Sequence, residues 1–403
     1  MMIFEAIDAG HGDAILLRYR SENVGRERVM LIDGGPKSAR NEKGDSYIPY
    51  QTRIIPRLME LRKERGGAAD SVLPLDLVVC THIDDDHIAG IERLYGCLSK
   101  NSTCAKDGDK VDGSRLWFNS FSDLLGDAVD IKAALAGVPV QAVAASVGQG
   151  ENTTRFALAC GAEINADAPG TLIAVGQQPK DLQPAKVTIL NPGERSLTRL
   201  RKEWLKKVEE MKKKGPTGVP AGAGGVSFAP DNAIANLSSI VMLVEAFGRR
   251  VLLTGDQLSL DILDGLESAQ RWKKGQTFHV DIMKVPHHGS TANVQSEFVA
   301  AITADIYVFS ANGKDQNPDP PVLELIADEA KKGRKFTMAF TNGAMNYETD
   351  KKGNFGKIRG TPVKTLAEAI AELKKDPDVA KNVTFMFRDP AKHSLVFPLA
   401  PKP

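Results

Sequence analysis

Residues 81–90 read Thr-His-Ile-Asp-Asp-Asp-His-Ile-Ala-Gly, three consecutive aspartates between two histidines. The residues before them, Leu75-Asp76-Leu77-Val78-Val79-Cys80, form an apolar run that reads as a strand buried on at least one face. After them, Ile88, Ile91, Leu94, Tyr95 and Leu98 recur at helical spacing. The acidic cluster therefore lies on a strand-to-helix loop, where α/β folds commonly place their chemistry. Like charges this close repel, and partial burial raises the cost. A bound cation turns the repulsion into attraction. A solvated loop whose aspartate caps the following helix is the other reading, and these ten residues alone leave both open.

Working outward, the chain has 403 residues and a formal net charge of +1, enough for one large domain or two ordinary ones. With 42% hydrophobic and 26% charged residues it has a globular composition. No apolar run approaches the roughly 18 residues of a membrane helix. The opening Met1-Met2-Ile3-Phe4-Glu5 lacks the basic and apolar regions of a signal peptide, so a cytoplasmic protein without a membrane partner is expected. The four cysteines, Cys80, Cys97, Cys104 and Cys160, form no Cys-x-x-Cys pair and are expected as buried free thiols. The near-zero charge argues against a large non-specific nucleic-acid footprint and leaves room for a local basic groove.

Strands are expected at Ile3–Ile7, Ala14–Tyr19, Val29–Ile32, Val187–Leu190, Ile240–Val244, Val251–Thr254, Ile282–Val285, Ile306–Phe309 and Phe336–Phe340. Two Gly-Asp breaks, "DAGHGDA" at 8–14 and "DGGP" at 33–36, punctuate the first third. Phe247-Gly248-Arg249-Arg250 reads as a hairpin turn. A helix over Leu197–Met211 carries many Arg and Lys residues, read as a solvated face in preference to an anion-binding surface. "GPTGVPAGAGG" at 215–225 is a flexible linker or mobile loop by composition, expected beside the active-site mouth. Residues 1–355 are expected as one domain with an insertion at about 99–235. Residues 356–403, with a helix near Leu366–Leu373 and a strand at Val383–Phe387, are expected as a C-terminal extension.

Five of the seven histidines fall in turns at strand ends: His11, His82, His87, His287 and His288. His279 and His393 have no such context and read as structural or surface residues. The segment His82-Ile83-Asp84-Asp85-Asp86-His87 resembles the His-x-[His/Asp]-x-Asp-His motif of the metallo-β-lactamase-fold hydrolases. "MLIDGG" (30–35), "VLLTGD" (251–256) and "DIMKVPHHGS" (281–290) follow in the family's order, each at a strand end. Together with "DAGHGDAILL" they look most like the soluble hydrolase domain of bacterial competence DNA-uptake channel proteins and its free-standing relatives. The resemblance covers residues 3 to about 345, weakly in the middle third.

That resemblance implies an αββα sandwich and two divalent ions, zinc or manganese. It implies His82 and Asp84 at a first metal, Asp86 and His87 at a second, and Asp256 bridging both. One of His287 and His288 should face the site. Asp86, Asp256 and His288 are the implied catalytic set. Two cations held roughly 3.5–4 Å apart acidify a shared water and stabilise a developing oxyanion. Asp85 is read as exposed. Asp33 is expected to accept hydrogen bonds from ligand histidines, and His11 and Asp13 to lie just outside the ligands; turn and capping roles are the bland reading of all three. Asn236 and Ser239 match polar positions of the same branch.

The chain departs from the family twice. No histidine lies between His87 and Asp256, where the wider superfamily supplies a third ligand to the first metal, and Asn191 sits roughly where a substitute is expected. The late His-Pro-His-Pro-like segment is here Asn317-Pro318-Asp319-Pro320. These losses point to a single tightly held ion, or to a harder ion than zinc. The expected activity is hydrolysis of phosphodiester bonds in nucleic acid or nucleotides. A lactone or ester hydrolase and a binding protein with a vestigial metal site are the rivals.

Overall fold

The computed structural model describes residues 1–21, 25–41, 43–66, 71–100, 104, 108, 110–125, 140–168, 172–177, 182–214 and 232–402. The expected linker at 215–225 lies outside these described residues, as does part of the expected insertion.

Two seven-stranded sheets stack face to face. Edge to edge, the first runs Glu163–Ile164, Arg115–Phe118, Leu77–Cys80, Arg26–Ile32, Ile15–Ser21, Met2–Ile7 and Ser394–Leu399. The second runs Lys186–Asn191, Val241–Ala246, Arg249–Leu253, Phe278–Lys284, Ile302–Phe309, Phe336–Phe340 and Val383–Phe387. Each sheet joins an antiparallel hairpin region to a run of parallel strands. Phe4, Val79, Val244, Ile282 and Val308 meet in the core between the sheets. Helices cover both outer faces, with the Ile55–Glu64 and Asp85–Leu98 helices on the first sheet and Ser259–Ser268, Pro320–Ala327 and Leu366–Leu373 on the second. This is the αββα sandwich that the resemblance implies.

The layering explains the continuous apolar strand before the acidic cluster. Leu77 and Val79 enter the inter-sheet core, while Val78 and Cys80 face the helical layer. A strand buried on both faces has no polar side to alternate with. Each such side chain contributes roughly 1.5–3 kcal/mol on burial. The hairpin between Val241–Ala246 and Arg249–Leu253 closes through Phe247 and Gly248, both at positive φ (54° and 70°), which suits the right-handed twist of the strands.

The residues after 355 complete both sheets. Val383–Phe387 pairs in parallel with Phe336–Phe340, and Ser394–Leu399 pairs antiparallel with Met2–Ile7. Ser394–Leu399 is not among the strands the sequence reading finds, although Leu395, Phe397 and Leu399 alternate into the inter-sheet core. Arg388 anchors this end by donating to Asp8 at 2.8 Å. The expectation of four buried thiols holds for Cys80 and Cys97 only, since Cys104 is exposed and Cys160 is half-buried on a helix end. Among the described residues no helix is long and apolar enough to cross a membrane.

Candidate metal centre

The C-terminal ends of the central strands of both sheets open on one side of the sandwich, as ligand sites do in α/β sheets. Asp33 follows Ile32, and His82 follows the strand ending at Cys80. Asp256 follows Leu253, and the His287-His288 pair follows Lys284. Backbone hydrogen bonds sew these turns together. Asp13 N–H donates to Asp86 O at 3.1 Å, Gly34 N–H to His87 O at 2.8 Å, and Ile240 N–H to Thr81 O at 2.9 Å. The glycines let the turns approach. A Cβ on Gly12 would stand 2.0 Å from Asp86 O, and one on Gly90 would stand 1.8 Å from Gly34 O.

Four predicted residues form a compact group. Donor atoms of Asp86, His87, Asp256 and His288 all lie within 4.8 Å of one another. Asp256 Oδ2 is 3.2 Å from His87 Nε2 and 3.3 Å from His288 Nε2, and Asp86 Oδ2 is 3.3 Å from His288 Nε2. Donors held 2.0–2.1 Å from one tetrahedral ion stand about 3.3 Å apart, so these three edges fit a single cation, while the His87 Nε2–Asp86 Oδ1 edge is wider at 4.0 Å. His287 Nε2 is farther from Asp256 Oδ2, at 3.6 Å, and its side chain is partly exposed. His288 is therefore the member of the pair inside the compact group. His82 Nε2 pairs with Asp84 Oδ2 at 3.6 Å, and its ring packs on that of His87 with centroids 4.1 Å apart. These two make a looser position beside the compact one.

The four imidazoles share one orientation. His82 Nδ1 meets Thr81 Oγ1 at 3.0 Å, and that hydroxyl donates to Asp33 at 2.7 Å. His87 Nδ1 meets Asp33 Oδ2 at 2.8 Å, His287 Nδ1 meets Asn293 Oδ1 at 2.7 Å, and His288 Nδ1 meets the Ser310 carbonyl at 2.7 Å. Each acceptor fixes its Nδ1 as the protonated nitrogen and turns the Nε2 lone pair inward. Nε2 of His82, His87 and His288 and Oδ1 of Asp256 are buried without an aligned hydrogen bond, although Nε2 of His87 and His288 stand 3.2 and 3.3 Å from Asp256 Oδ2. A buried polar atom left unpaired costs about 1–3 kcal/mol, so this group of orphans is what a cation would satisfy.

The electrostatics agree. Burial alone would push the His87 and His288 imidazoles down. The facing carboxylates outweigh it, Asp256, Asp33 and Asp86 at His87 and Asp256 and Asp13 at His288, and hold both well above the ordinary histidine value. Burial would raise Asp86 and Asp256, yet the neighbouring imidazoles keep both below the usual carboxylate range. Asp84 is raised by burial. A field that draws protons onto these imidazoles also draws cations.

The remaining expectations sort as follows. Asp33 accepts from His87 and Thr81, with its backbone at φ 59°. Asp13 lies beneath the compact group, 4.0 Å from His87 Nδ1 and 2.6 Å from Lys284 Nζ. Burial opposes the Asp13 charge, but Lys284 and His288 lower its carboxyl to about 2. His11 is half-buried beside the cluster, and burial together with Lys314 lowers its imidazole to about 4. Asp85 is exposed as expected and accepts from Lys37 N–H and Gln149.

Asn191 is outside the group. Its amide donates to the carbonyls of Leu237 and Ser239 at 3.3 and 3.0 Å and accepts from Gly193 N–H and Ser196, so it braces the Ser239 turn. Ser239 in turn touches His82 Nδ1 at 3.4 Å and accepts from Asp256 N–H at 3.2 Å. Asp319, in the Asn-Pro-Asp-Pro segment, accepts from Thr291 N–H and Oγ1 at 2.8 Å and braces the turn after the histidine pair. His287 and His288 both have positive φ (46° and 55°), strain of the kind that collects at functional sites. Lys284, Thr81, Asn293 and Ser310 escape the sequence reading. A lysine ending an otherwise apolar strand is the one signal that could have found Lys284.

No family model matches the chain. It is 31% identical over 100 residues to ComE operon protein 3 of Bacillus subtilis (strain 168), a stretch covering 24% of this chain and 12% of that protein. Among solved structures, a Parabacteroides distasonis ATCC 8503 protein assigned as a metal-dependent hydrolase aligns at 10% identity and TM-score 0.30, over 75% of this chain and 80% of that one. CmlA, a diiron β-hydroxylase from Streptomyces venezuelae, aligns at 12% identity and TM-score 0.37, over 99% of this chain and 54% of that one. At such identity and overlap, neither neighbour says what this chain does.

Proposed function

We propose that this chain is a metal-dependent hydrolase that cleaves phosphodiester bonds of nucleic acid or a nucleotide. The observation that carries the metal reading is the shared orientation of four imidazoles, each tied through Nδ1, with Nε2 of His87 and His288 turned towards Asp256 and that of His82 towards Asp84. Asp86, His87, Asp256 and His288 would hold the tighter ion, and His82 and Asp84, with Asp256, a weaker second one. The mixed nitrogen and carboxylate donors suit zinc or manganese. Held by these residues, a divalent ion would supply Lewis acidity, which would lower the pKa of a water towards neutrality and polarise a phosphoryl oxygen.

The chain's own groups do the rest. Asp33, Ser310 and Asn293 fix the imidazole orientations. Asp86, 20% exposed while His87 and Asp256 are almost fully buried, stands at the rim where a proton can pass between solvent and the centre. The phosphodiester assignment rests on the motifs shared with the DNA-uptake hydrolase domains, and the short match to ComE operon protein 3 supports it.

Metal analysis of the purified protein, followed by assays with added manganese or zinc on phosphodiester and lactone substrates, tests the reading. Bound metal with phosphodiester cleavage is the expected result. Lactone opening alone would replace the substrate class and keep the centre, while absence of metal binding would reduce the chain to a binding protein.

A further inference from the structure

A cavity of about 820 Å³ adjoins the metal centre. The Gly10-His11-Gly12 turn is the wall between them. Gly12 packs against Asp86, Gly10 faces Ala39 and Asn312, and His11 lines the cavity. Lys314 on one side and Asp86 and His288 on the other all act on the His11 imidazole.

The cavity's charges are arranged for an anion. Arg40 and Lys314 line it, and among the described residues neither side chain is in an ion pair. Arg388, behind the wall, is committed to Asp8, which also accepts from the amide of the lining residue Asn342. Among the described residues, the one acidic side chain lining the cavity is Glu348, which accepts from Asp315 N–H at 3.1 Å and is held against the 313–317 turn. The amides of Asn41 and Asn312 each give one N–H within the wall, to Asp45 and to the Arg40 carbonyl, and have a second N–H to offer the lining. Cationic side chains and amides together are what phosphate oxygens bind.

We infer that this cavity binds a phosphate of the substrate strand flanking the scissile one, so that the substrate is an oligonucleotide and not a small diester. The inference rests on the proposed phosphodiesterase reading and names the part of the substrate that reading leaves open. Arg40 and Lys314 are positioning residues in this scheme. They hold the strand while the metal centre acts.

The test is the Arg40→Ala/Lys314→Ala double variant in the manganese-loaded full chain, with wild type as control. Both side chains are exposed, so the fold should survive. Expected is a rise of at least about tenfold in KM for a single-stranded oligonucleotide, with its kcat and the hydrolysis of bis(p-nitrophenyl) phosphate unchanged. The manganese content should also be unchanged. An unmoved oligonucleotide KM, or a parallel fall with the small diester, overturns the inference. If wild type cleaves no phosphodiester, the functional reading fails and the cavity is judged by binding of a fluorescent twelve-nucleotide strand. Affinity that the double variant loses, with the log–log salt slope shallower by about 0.7 per lost contact, sustains a phosphate site. No wild-type binding, or equal binding by both proteins, overturns it.

Discussion

Lys284 Nζ lies 2.6 Å from Asp13 Oδ2, and each side chain is 1% exposed. The pair ties the turn after the first strand to the strand that carries the histidine pair. It also places an ammonium 3.9 Å from Asp256 Oδ1, beneath a centre otherwise crowded with carboxylates. Removing one partner of a buried pair leaves an uncompensated charge and costs about 3–5 kcal/mol. Lys284→Met should lose that much stability in urea titrations with EDTA present, and Asp13→Asn/Lys284→Met should recover most of it. A single variant as stable as wild type would mean the pair carries no such charge balance.

The pH response should differ with and without metal. His87 and His288 have raised folded values, so their contribution is fully present below the ordinary 6.5 and is lost as pH rises through the folded value. Asp13, Asp86 and Asp256 are depressed, so theirs is present above 3.8 and is lost as pH falls towards the folded values. The EDTA-treated protein should be most stable between these limits, and its urea midpoint should fall from pH 6.5 to pH 9. Bound manganese needs neutral imidazoles, so the stabilisation it adds should grow over the same interval. A metal-free midpoint that is flat or rising above pH 6.5 would contradict the assigned imidazole environments.

Asp86→Asn should lower metal-dependent turnover at least about 100-fold with the fold intact. Asp33→Asn should weaken metal binding by roughly 10- to 100-fold, because His87 loses its anionic acceptor. Asn tolerates the positive φ of position 33, so the backbone there need not move. Chelator competition measures both variants. Full activity in Asp86→Asn on any substrate would place the catalytic site elsewhere.

Gly90→Ala should destabilise the protein by about 1–3 kcal/mol, the usual cost of overpacking, since the new methyl meets the Gly34 backbone. Manganese affinity should fall as well, because Gly34 N–H holds the His87 carbonyl. Thermal denaturation with and without manganese reads both effects. An unchanged melting temperature would show that the two turns can separate freely.

Through the family its motifs resemble, the sequence pointed to the αββα arrangement and to most of the residues that the structure gathers at the strand ends. Buried strands, glycine turns and clustered His/Asp at strand ends are local patterns, and each is visible within ten or twenty residues. Phe336–Phe340, Leu366–Leu373 and Val383–Phe387 fall where those patterns put them. Only the tertiary structure decided which donors share a position. Asp86 and His87 lie in the first turn of the Asp85–Leu98 helix and not on the loop the sequence suggested, Asp256 and His288 lie on two separate turns, and their 3.2–3.3 Å spacings depend on how two sheets stack. His288 was separated from His287 by backbone angles that no spacing rule encodes. Asn191 was assigned to bracing because its amide is used up on backbone carbonyls across 46 and 48 residues of chain. Lys284 and the Ser394–Leu399 strand were hidden for the same reason: the partners that give them meaning, Asp13 and Met2–Ile7, are hundreds of residues away and are joined to them only by folding.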